Sequence, residues 1–378
     1  MKTKPFESVT VTLFRFLLIL IPSFVFAEGM YSSTWGFSLD LPEYYEYTEG
    51  DGKDRFSFRG PEGAIFDLIV YNGIYSGIKE MAEDANKKLG NRGEIDYFKY
   101  HDKQAAIIEL NFGGDKSGWG ICVELTGVQK HRPPFLLALA YGPAAKTDLV
   151  LFHFSALDSI TPSKAEKLYP GPITEYSYPR GERIMVPVAT SGVTAAICKN
   201  DAEAAQVLIE REFVILTTYI DTPAWKQAWL RYYRFIYRDS YTRVENIASA
   251  LIKKWGRGAD RAFAQKALTF VQGFKYERNQ KGSDFLNLVS AVTGGSGDCD
   301  SRAMLWALIL NHADIRAAMM VSPKHSHAMG LADIAGAGAR FEAYETNWLV
   351  AETTDNIDIG LIGKEQADPQ NWFGILFE

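Results

Sequence analysis

The hydrophobic pattern of the sequence changes its period along the chain. From Trp35 to about Ile160 apolar and polar residues mostly alternate, as in GFSLDLP, and Gly, Asn, Asp and Pro turns separate the apolar segments. A period of two is typical of half-buried β-strands. From Asn200 onward apolar residues recur at helical spacing. The pattern predicts an α+β protein in which a domain built on an antiparallel sheet precedes a helical segment.

Helical patterns also occur within the first half. The segment SGIKEMAEDANKKLG places its apolar residues on one helical face, whereas the run from Leu149 to Leu157 fits either a second helix or a further strand. We expect an N-terminal α+β domain over residues 28–166. The stretch 167–183, KLYPGPITEYSYPRGER, is rich in Pro and Gly and predicts an extended linker. Residues 184–378 then form the second domain.

The first 27 residues have the pattern of an export signal. Lys2 and Lys4 make the start basic, residues 16–26 are mostly apolar, and the small Ala27 ends a cleavage-site pattern. We expect cleavage after Ala27 and an exported protein, periplasmic or secreted, without membrane contact afterwards. An uncleaved anchor is the alternative, but the uninterrupted apolar part is shorter than the roughly 20 residues of a spanning helix.

The charge distribution narrows the class of partner. The formal net charge is −6, and Lys and Arg form no run or basic helix face. The sequence therefore gives no electrostatic reason to expect a nucleic acid or an anionic membrane as a partner.

Three cysteines leave at least one thiol unpaired within a single chain. Cys122 and Cys198 both lie in apolar segments and could form a disulfide or remain as buried thiols. Cys299 differs, because GSGDCDSRA surrounds it with glycines and acids. Asp298 predicts a helix cap, so Cys299 becomes the first helical residue. The helix dipole is expected to lower its pKa and favour a thiolate nucleophile.

A thiolate nucleophile needs a base and a group that orients the base. HSHAMGLADI offers His325 and His327, which share one face if the segment is a strand, and WLVAETTDN places Glu352 at the end of another strand. If the two strands are antiparallel neighbours, a histidine and Glu352 can meet. A helix starting at Cys299 and packed on that sheet would complete the set.

These segments resemble a known family. The sequence contains three segments that are similar, in order, to the cysteine, histidine and acid motifs of the transglutaminase-like superfamily: GSGDCDSRAMLWALILNHADIRAAMMV, HAMGLADI and WLVAETT. The last of them resembles the bacterial subgroup of this superfamily, in which the acid strand ends in Glu-Thr-Thr. The resemblance implies a papain-like core at about residues 258–363, with a cysteine-bearing helix on an antiparallel sheet. It implies Cys299 as nucleophile, His327 as base and then acid, and Glu352 as orienting carboxylate. The N-terminal half resembles small domains of the PsbP and Mog1 type.

Two departures from the superfamily pattern concern the site. Animal transglutaminases have Asp where Glu352 stands, and Trp where Met329 stands, which leaves the oxyanion donor open. The backbone N–H of Cys299 is one candidate and Gln272 is another. Asp298, Asp300 and His325 are expected as neighbours of the site or as substrate contacts.

The resemblance implies an enzyme that acts on amide bonds through a thioester, with a protein or peptide as substrate. Hydrolysis is preferred to crosslinking, because nothing in the sequence marks an acyl-acceptor site. No cofactor or metal is implied, since His325, His327 and Asp300 lack a convincing fourth zinc ligand. The alternative is a catalytically silent binding or scaffold protein whose N-terminal domain is the recognition surface.

Overall fold

A computed structural model describes residues 29–126, 133–278 and 282–377. The predicted export signal lies outside these residues. Within them, no helix is both long and apolar enough to cross a membrane. The described chain is a mixed α/β structure with several antiparallel sheets.

The strands are β1 (Met30–Tyr31), β2 (Ser38–Leu39), β3 (Glu46–Gly50), β4 (Arg55–Arg59), β5 (Ile65–Tyr71), β6 (Ile95–Tyr100), β7 (Lys103–Asn111), β8 (Lys116–Glu124), β9 (Phe135–Pro143), β10 (Arg183–Val188), β11 (Val193–Cys198), β12 (Lys275–Tyr276), β13 (Ser296–Gly297), β14 (Ala317–Ser322), β15 (His327–Ala332), β16 (Arg340–Ala343), β17 (Thr346–Ala351) and β18 (Phe373–Ile375). The α-helices are α1 (Ile78–Lys88), α2 (Leu149–Asp158), α3 (Pro172–Ser177), α4 (Asp201–Thr217), α5 (Trp225–Arg243), α6 (Glu245–Trp255), α7 (Asp260–Gln272), α8 (Leu288–Gly294) and α9 (Cys299–His312). Short 3₁₀ helices span Pro61–Gly63, Lys164–Glu166, Lys364–Gln366 and Pro369–Asn371.

The first half is built on one antiparallel sheet with the strand order β3-β4-β5-β9-β8-β7-β6. Helix α2 covers one face and α1 covers the other. A central strand buried on both faces has no polar side, which explains the unbroken apolar run of β9. The segment whose pattern fitted either a helix or a strand is helix α2.

The predicted extended linker contains the short helix α3. Pro172 stands in its first turn, where a missing N–H costs nothing, and Ile173 is buried in the core of the first half. The backbone N–H and the hydroxyl of Thr174 both donate to Asp158. The prediction of an extended segment was wrong here because proline can begin a helix as well as prevent one. The predicted domain boundaries themselves stay predictions.

The second half surrounds α9. Every residue from Ser301 to Leu310 is buried, because α9 packs against α7, β14 and β15 at once. The sheet on which it packs has the order β16-β17-β15-β14-β18 and is antiparallel throughout. Gly330 in β15 leaves room for the ring of Trp306, which would collide with any Cβ at that position. This close approach fixes α9 against the strand that carries His327.

Buried polar contacts join the two halves. The guanidinium of Arg231 in α5 donates to the backbone oxygen of Asp40, to Glu212 and to the hydroxyl of Ser155, each at 2.7 Å. Cys122 and Cys198, for which the sequence left a disulfide open, are both free thiols.

Candidate active site

Cys299 is the first residue of α9, as the capping pattern predicted. The N-cap is Asp298, whose Oδ1 accepts the backbone N–H of Ser301 at 2.9 Å. The preceding turn uses Gly295 at φ 69°, a left-handed conformation that favours glycine. The glycine-rich turn and the cap together place the cysteine at the helix start.

His327 and Glu352 meet across neighbouring strands. Strands β15 and β17 are antiparallel, as predicted; His327 is the first residue of β15, and Glu352 directly follows β17. His327 Nε2 lies 2.7 Å from Glu352 Oε2. The other carboxylate oxygen accepts the N–H and the hydroxyl of Thr354 at 2.8 and 2.6 Å. The carboxylate is thus fixed from both sides.

The bond to Glu352 determines which nitrogen of His327 can act as a base. A carboxylate accepts, so Nε2 carries the proton, and the neutral ring keeps a lone pair on Nδ1. Among the described residues Nδ1 has no hydrogen-bond partner. Burial alone raises the pKa of Glu352, but the bonds from His327 and Thr354 outweigh it and lower that pKa overall. Glu352 therefore remains charged and can stabilise an imidazolium.

Cys299 and His327 line the same cavity, which has a volume of about 640 Å³. The backbone N–H of Ala328, the residue after His327, donates to the Cys299 sulfur. Glu352 is almost fully buried behind the imidazole and does not line the cavity. The structure thus brings the three side chains predicted as catalytic to one place.

The predicted lowering of the Cys299 pKa is wrong. Burial raises this pKa, and the negative charges of Asp300 and Asp298 raise it further, whereas the Ala328 N–H and Arg278 lower it by less. The sulfur lies 3.7 Å from Asp300 Oδ1. The two acids that flank the cysteine in the sequence thus oppose the helix dipole, and the resting group is a thiol.

The two flanking acids are themselves perturbed. Burial, with repulsion from neighbouring carboxylates, raises the pKa of Asp298 to about 8 and that of Asp300 to about 6. Oxygens of both lie within 4.8 Å of one another and of an oxygen of Asp284, close enough to ligate one cation. Ser301 donates to Asp298 Oδ1, Tyr233 donates to Asp300, and Arg278 lies beside Asp284, whereas Asp298 Oδ2 is buried without a hydrogen-bond partner among the described residues.

His325 does not share a strand face with His327. It lies in the turn before β15, where Ser326 has φ 46° and interrupts the alternation of side chains. Its ring stacks on Trp372 at a centroid distance of 5.6 Å and does not line the cavity. The predicted alternation failed because the strand begins two residues later than the sequence pattern indicated.

Gln272 supports the acid segment. Its Nε2 donates to the backbone oxygens of Glu352 and Ile357, both at 2.9 Å. With its amide N–H groups directed at those carbonyls, it is not placed as an oxyanion donor.

Tyr276 is a site residue that the sequence reasoning missed. Strands β12 and β13 are parallel and place Tyr276 opposite Gly297, two residues before the cysteine. Partial burial, and then the charge of the neighbouring Cys299 sulfur, raise the pKa of Tyr276 to about 12. Strands of two residues are too short to leave a periodic signal in the sequence. The one sequence indication of Tyr276 near the site is that FKY, residues 274–276, precedes the glycine-rich segment.

Comparisons with known proteins give little information about the function of this chain. No protein-family model and no curated protein matches the sequence. Among solved structures, cyanobacterial PsbP from Synechocystis sp. PCC 6803 aligns at 9% identity and a TM-score of 0.27, over 36% of this chain and 91% of that chain. A provisionally assigned cysteine protease from Cytophaga hutchinsonii aligns at 10% identity and a TM-score of 0.21, over 89% of this chain and 82% of that chain. At these TM-scores neither likeness carries an argument about this chain.

Proposed function

We propose that the protein is an exported cysteine enzyme with a transglutaminase-like core that hydrolyses amide bonds through a thioester. One observation carries the proposal. The 2.7 Å bond between His327 and Glu352 leaves Nδ1 as the basic nitrogen of an imidazole that shares a cavity with Cys299. The order of cysteine, histidine and acid along the chain agrees with the family resemblance.

The first half of the reaction begins from a thiol, because burial and two carboxylates raise the pKa of Cys299. As the sulfur attacks the substrate carbonyl carbon, His327 Nδ1 accepts the thiol proton. A C–S bond forms, and the carbonyl π electrons move to oxygen. The imidazolium is stabilised by the carboxylate of Glu352.

The intermediate then collapses toward the thioester. The electron pair on oxygen re-forms the carbonyl, the C–N bond breaks, and His327 gives its proton to the leaving amine nitrogen. In the second half His327 takes a proton from water, the hydroxide attacks the thioester, and the thiolate leaves and is reprotonated. An amine in place of water would give transamidation. We favour hydrolysis because the described residues mark no site for a second amine.

The negative oxygen of each tetrahedral intermediate needs hydrogen-bond donors. The backbone N–H of Cys299 lies at the start of α9, where the helix dipole favours negative charge. We assign the Tyr276 hydroxyl as the second donor, because Tyr276 neighbours the sulfur to which the reacting carbon becomes bonded and its pKa is raised by that sulfur.

A catalytically silent binding protein is the second candidate. The observation in its favour is the environment of Cys299, since the raised pKa keeps the sulfur protonated in the resting state. In that case the N-terminal half would provide the recognition surface.

Turnover and acyl-enzyme formation distinguish the two candidates. Wild-type protein is screened against a library of fluorogenic peptide amides, and hydroxylamine is added to convert a thioester to a hydroxamate. We expect Cys299→Ala to lose all turnover and all hydroxamate while its thermal unfolding stays similar. Cys198→Ala is the matched control because Cys198 is also a free thiol, and it should retain activity. Turnover that survives Cys299→Ala would refute the mechanism, and an inert wild-type protein would favour the silent candidate.

A further inference from the structure

The active-site cavity is lined in large part by apolar and aromatic side chains from the end of α4, from the segment that follows it and from α5. We call this surface the aromatic wall; its residues are Phe213, Leu216, Ile220, Trp225, Trp229, Tyr232 and Tyr233. Ile220 is 58% exposed and Trp225 is 36% exposed. Large apolar side chains exposed inside a concave site are a feature of ligand-binding surfaces.

The aromatic wall is already assembled. The ring of Trp229 contacts those of Trp225 at 6.1 Å and Phe373 at 5.8 Å, and it stacks on Tyr233 at 6.5 Å with an interplanar angle of 17°. The Tyr233 hydroxyl donates to Asp300, the residue after the nucleophile, at 2.8 Å. The wall is therefore held at a fixed position relative to Cys299, and a ligand does not have to order it.

The polar lining of the cavity has an excess of negative charge. Asp284 and Asp300 contribute two carboxylates, and Arg278, whose Nε lies 3.5 Å from Asp284 Oδ2, contributes one positive charge. An acidic side chain of a substrate would meet like charges there, whereas an apolar side chain would contact the aromatic wall.

We infer that the site accepts acyl donors with an aromatic or large aliphatic side chain next to the scissile carbonyl and discriminates against acidic ones. The inference rests on the proposed function, because it places the reacting carbonyl at Cys299. The cavity of about 640 Å³ lies within the range of about 300–1,000 Å³ typical of small-molecule sites. Since one methylene in an apolar pocket is worth roughly 10–200-fold in specificity, we expect Phe to exceed Ala by on the order of 100-fold.

The test uses irreversible probes that need no known substrate. N-acetyl dipeptide chloromethyl ketones with Phe, Leu, Ala or Glu next to the ketone are incubated with the full chain. The Cys299 sulfur displaces chloride and forms a C–S bond, and peptide mass spectrometry gives the labelling rate at Cys299. Iodoacetamide, which has no side chain, measures the intrinsic reactivity of the same thiol. The rate ratios between probes therefore report recognition.

Two exposed isoleucines supply matched variants. Ile220 in the aromatic wall and Ile74 in the N-terminal half are 58% and 59% exposed, so truncation of either should leave the fold intact. We expect Ile220→Ala to reduce the Phe-to-Ala rate ratio several-fold and Ile74→Ala to leave it unchanged. Trp229→Ala should reduce the ratio further, and Trp229→Phe should restore much of it.

The outcomes separate the inference from the proposed function. Faster labelling by the Phe and Leu probes, with a rate ratio that falls several-fold in Ile220→Ala, supports the inference. Equal rates for all side chains, or a preference for Glu, overturn it. If iodoacetamide labels Cys299 and no peptidyl probe does, the inference fails while the nucleophile remains. If neither reagent labels Cys299, the proposed function fails and the inference fails with it.

Discussion

At the scale of the residue, the reactivity of Cys299 depends on two opposing electrostatic effects. A helix N-terminus stabilises an adjacent anion by about 0.3–1 kcal/mol. A carboxylate 3.7 Å from the sulfur, the distance to Asp300 Oδ1, repels a thiolate by about 4 kcal/mol at an effective dielectric constant of 20. The acids therefore outweigh the dipole. Burial, the largest effect on the pKa of Cys299, acts in the same direction as the acids, whereas the sequence signals only the cap and the acids.

The pH dependence of alkylation follows from this balance. A raised pKa means that the thiolate of Cys299 appears at higher pH than that of an ordinary thiol, whose pKa is about 8.5. We expect the iodoacetamide labelling rate of Cys299 to be still far below its plateau at pH 10, whereas that of an unperturbed thiol passes its half-maximum at about pH 8.5. Asp300→Asn removes one charge and should make labelling at pH 7 at least on the order of tenfold faster, because one pKa unit corresponds to about 1.4 kcal/mol, less than the repulsion that the substitution removes. Peptide mass spectrometry at fixed times from pH 5 to 10 gives both profiles.

Asp314→Asn is the control for this experiment, because Asp314 is exposed and follows the opposite end of α9. It should not shift the profile. A wild-type rate that is already maximal at pH 6 would contradict the prediction and would indicate a resting thiolate–imidazolium pair.

The role of Tyr276 gives a second prediction at this scale. If its hydroxyl donates to the oxyanion, Tyr276→Phe should lower kcat by about 100-fold or more, as expected when one such donor is lost, with KM little changed. Initial rates on the best peptide amide from the substrate screen give both constants. Tyr97→Phe is the matched control, since Tyr97 is 44% exposed and Tyr276 is 48% exposed. A Tyr276→Phe enzyme with unchanged kcat would leave the backbone N–H of Cys299 as the remaining candidate donor.

At the scale of the element, the sequence predicts those parts of the site that have local signals. The start of α9 could be predicted because Asp298 is a capping residue and an apolar run follows it. The sequence left the pairing of β15 with β17 as a condition, and the structure contains that pairing. The meeting of His327 and Glu352 follows from that pairing alone.

The elements that the sequence did not predict depend on contacts between distant segments. The two-residue strand β12 exists only because β13 lies beside it, so the approach of Tyr276 to the sulfur has no periodic signal. Helix α3 forms because Ile173 packs into the core of the first half and Thr174 donates to Asp158, although the composition of the segment indicates a linker. The aromatic residues of α5 carry no sequence signal that distinguishes a helix face directed at a core from one directed at a cavity.

At the scale of the whole molecule, one face of α5 forms part of the active-site cavity while another face is attached to the N-terminal half. Arg231 is almost fully buried and is held by Asp40, Glu212 and Ser155, two of which lie in the first half. Trp229 lies two residues earlier on the same helix and belongs to the aromatic wall. The N-terminal half therefore stabilises the position of a surface on which substrate recognition is proposed to depend.

This arrangement predicts that Arg231→Met weakens both the fold and the cavity. Glu212 would keep its ion pair with Arg211 at 2.8 Å, so we expect a loss of about 3 kcal/mol, the lower end of the cost of removing one partner from a buried ion pair. Urea unfolding should show that loss in the free energy of unfolding. The Phe-to-Ala ratio of the chloromethyl ketone probes should fall more than the iodoacetamide rate at Cys299, because the wall is displaced and the nucleophile is not.

Arg234→Met separates this effect from the general loss of an arginine in α5. Arg234 pairs with the side chain of Asp40 at 3.0 Å, but both partners are about one-quarter exposed, so their pair is worth about 0–1 kcal/mol. We expect a small change in stability and an unchanged probe ratio. If the two substitutions destabilise the protein equally, or if Arg231→Met leaves the probe ratio intact, the N-terminal half does not position the aromatic wall. If only Arg231→Met alters both quantities, recognition at Cys299 depends on contacts made on the opposite face of α5.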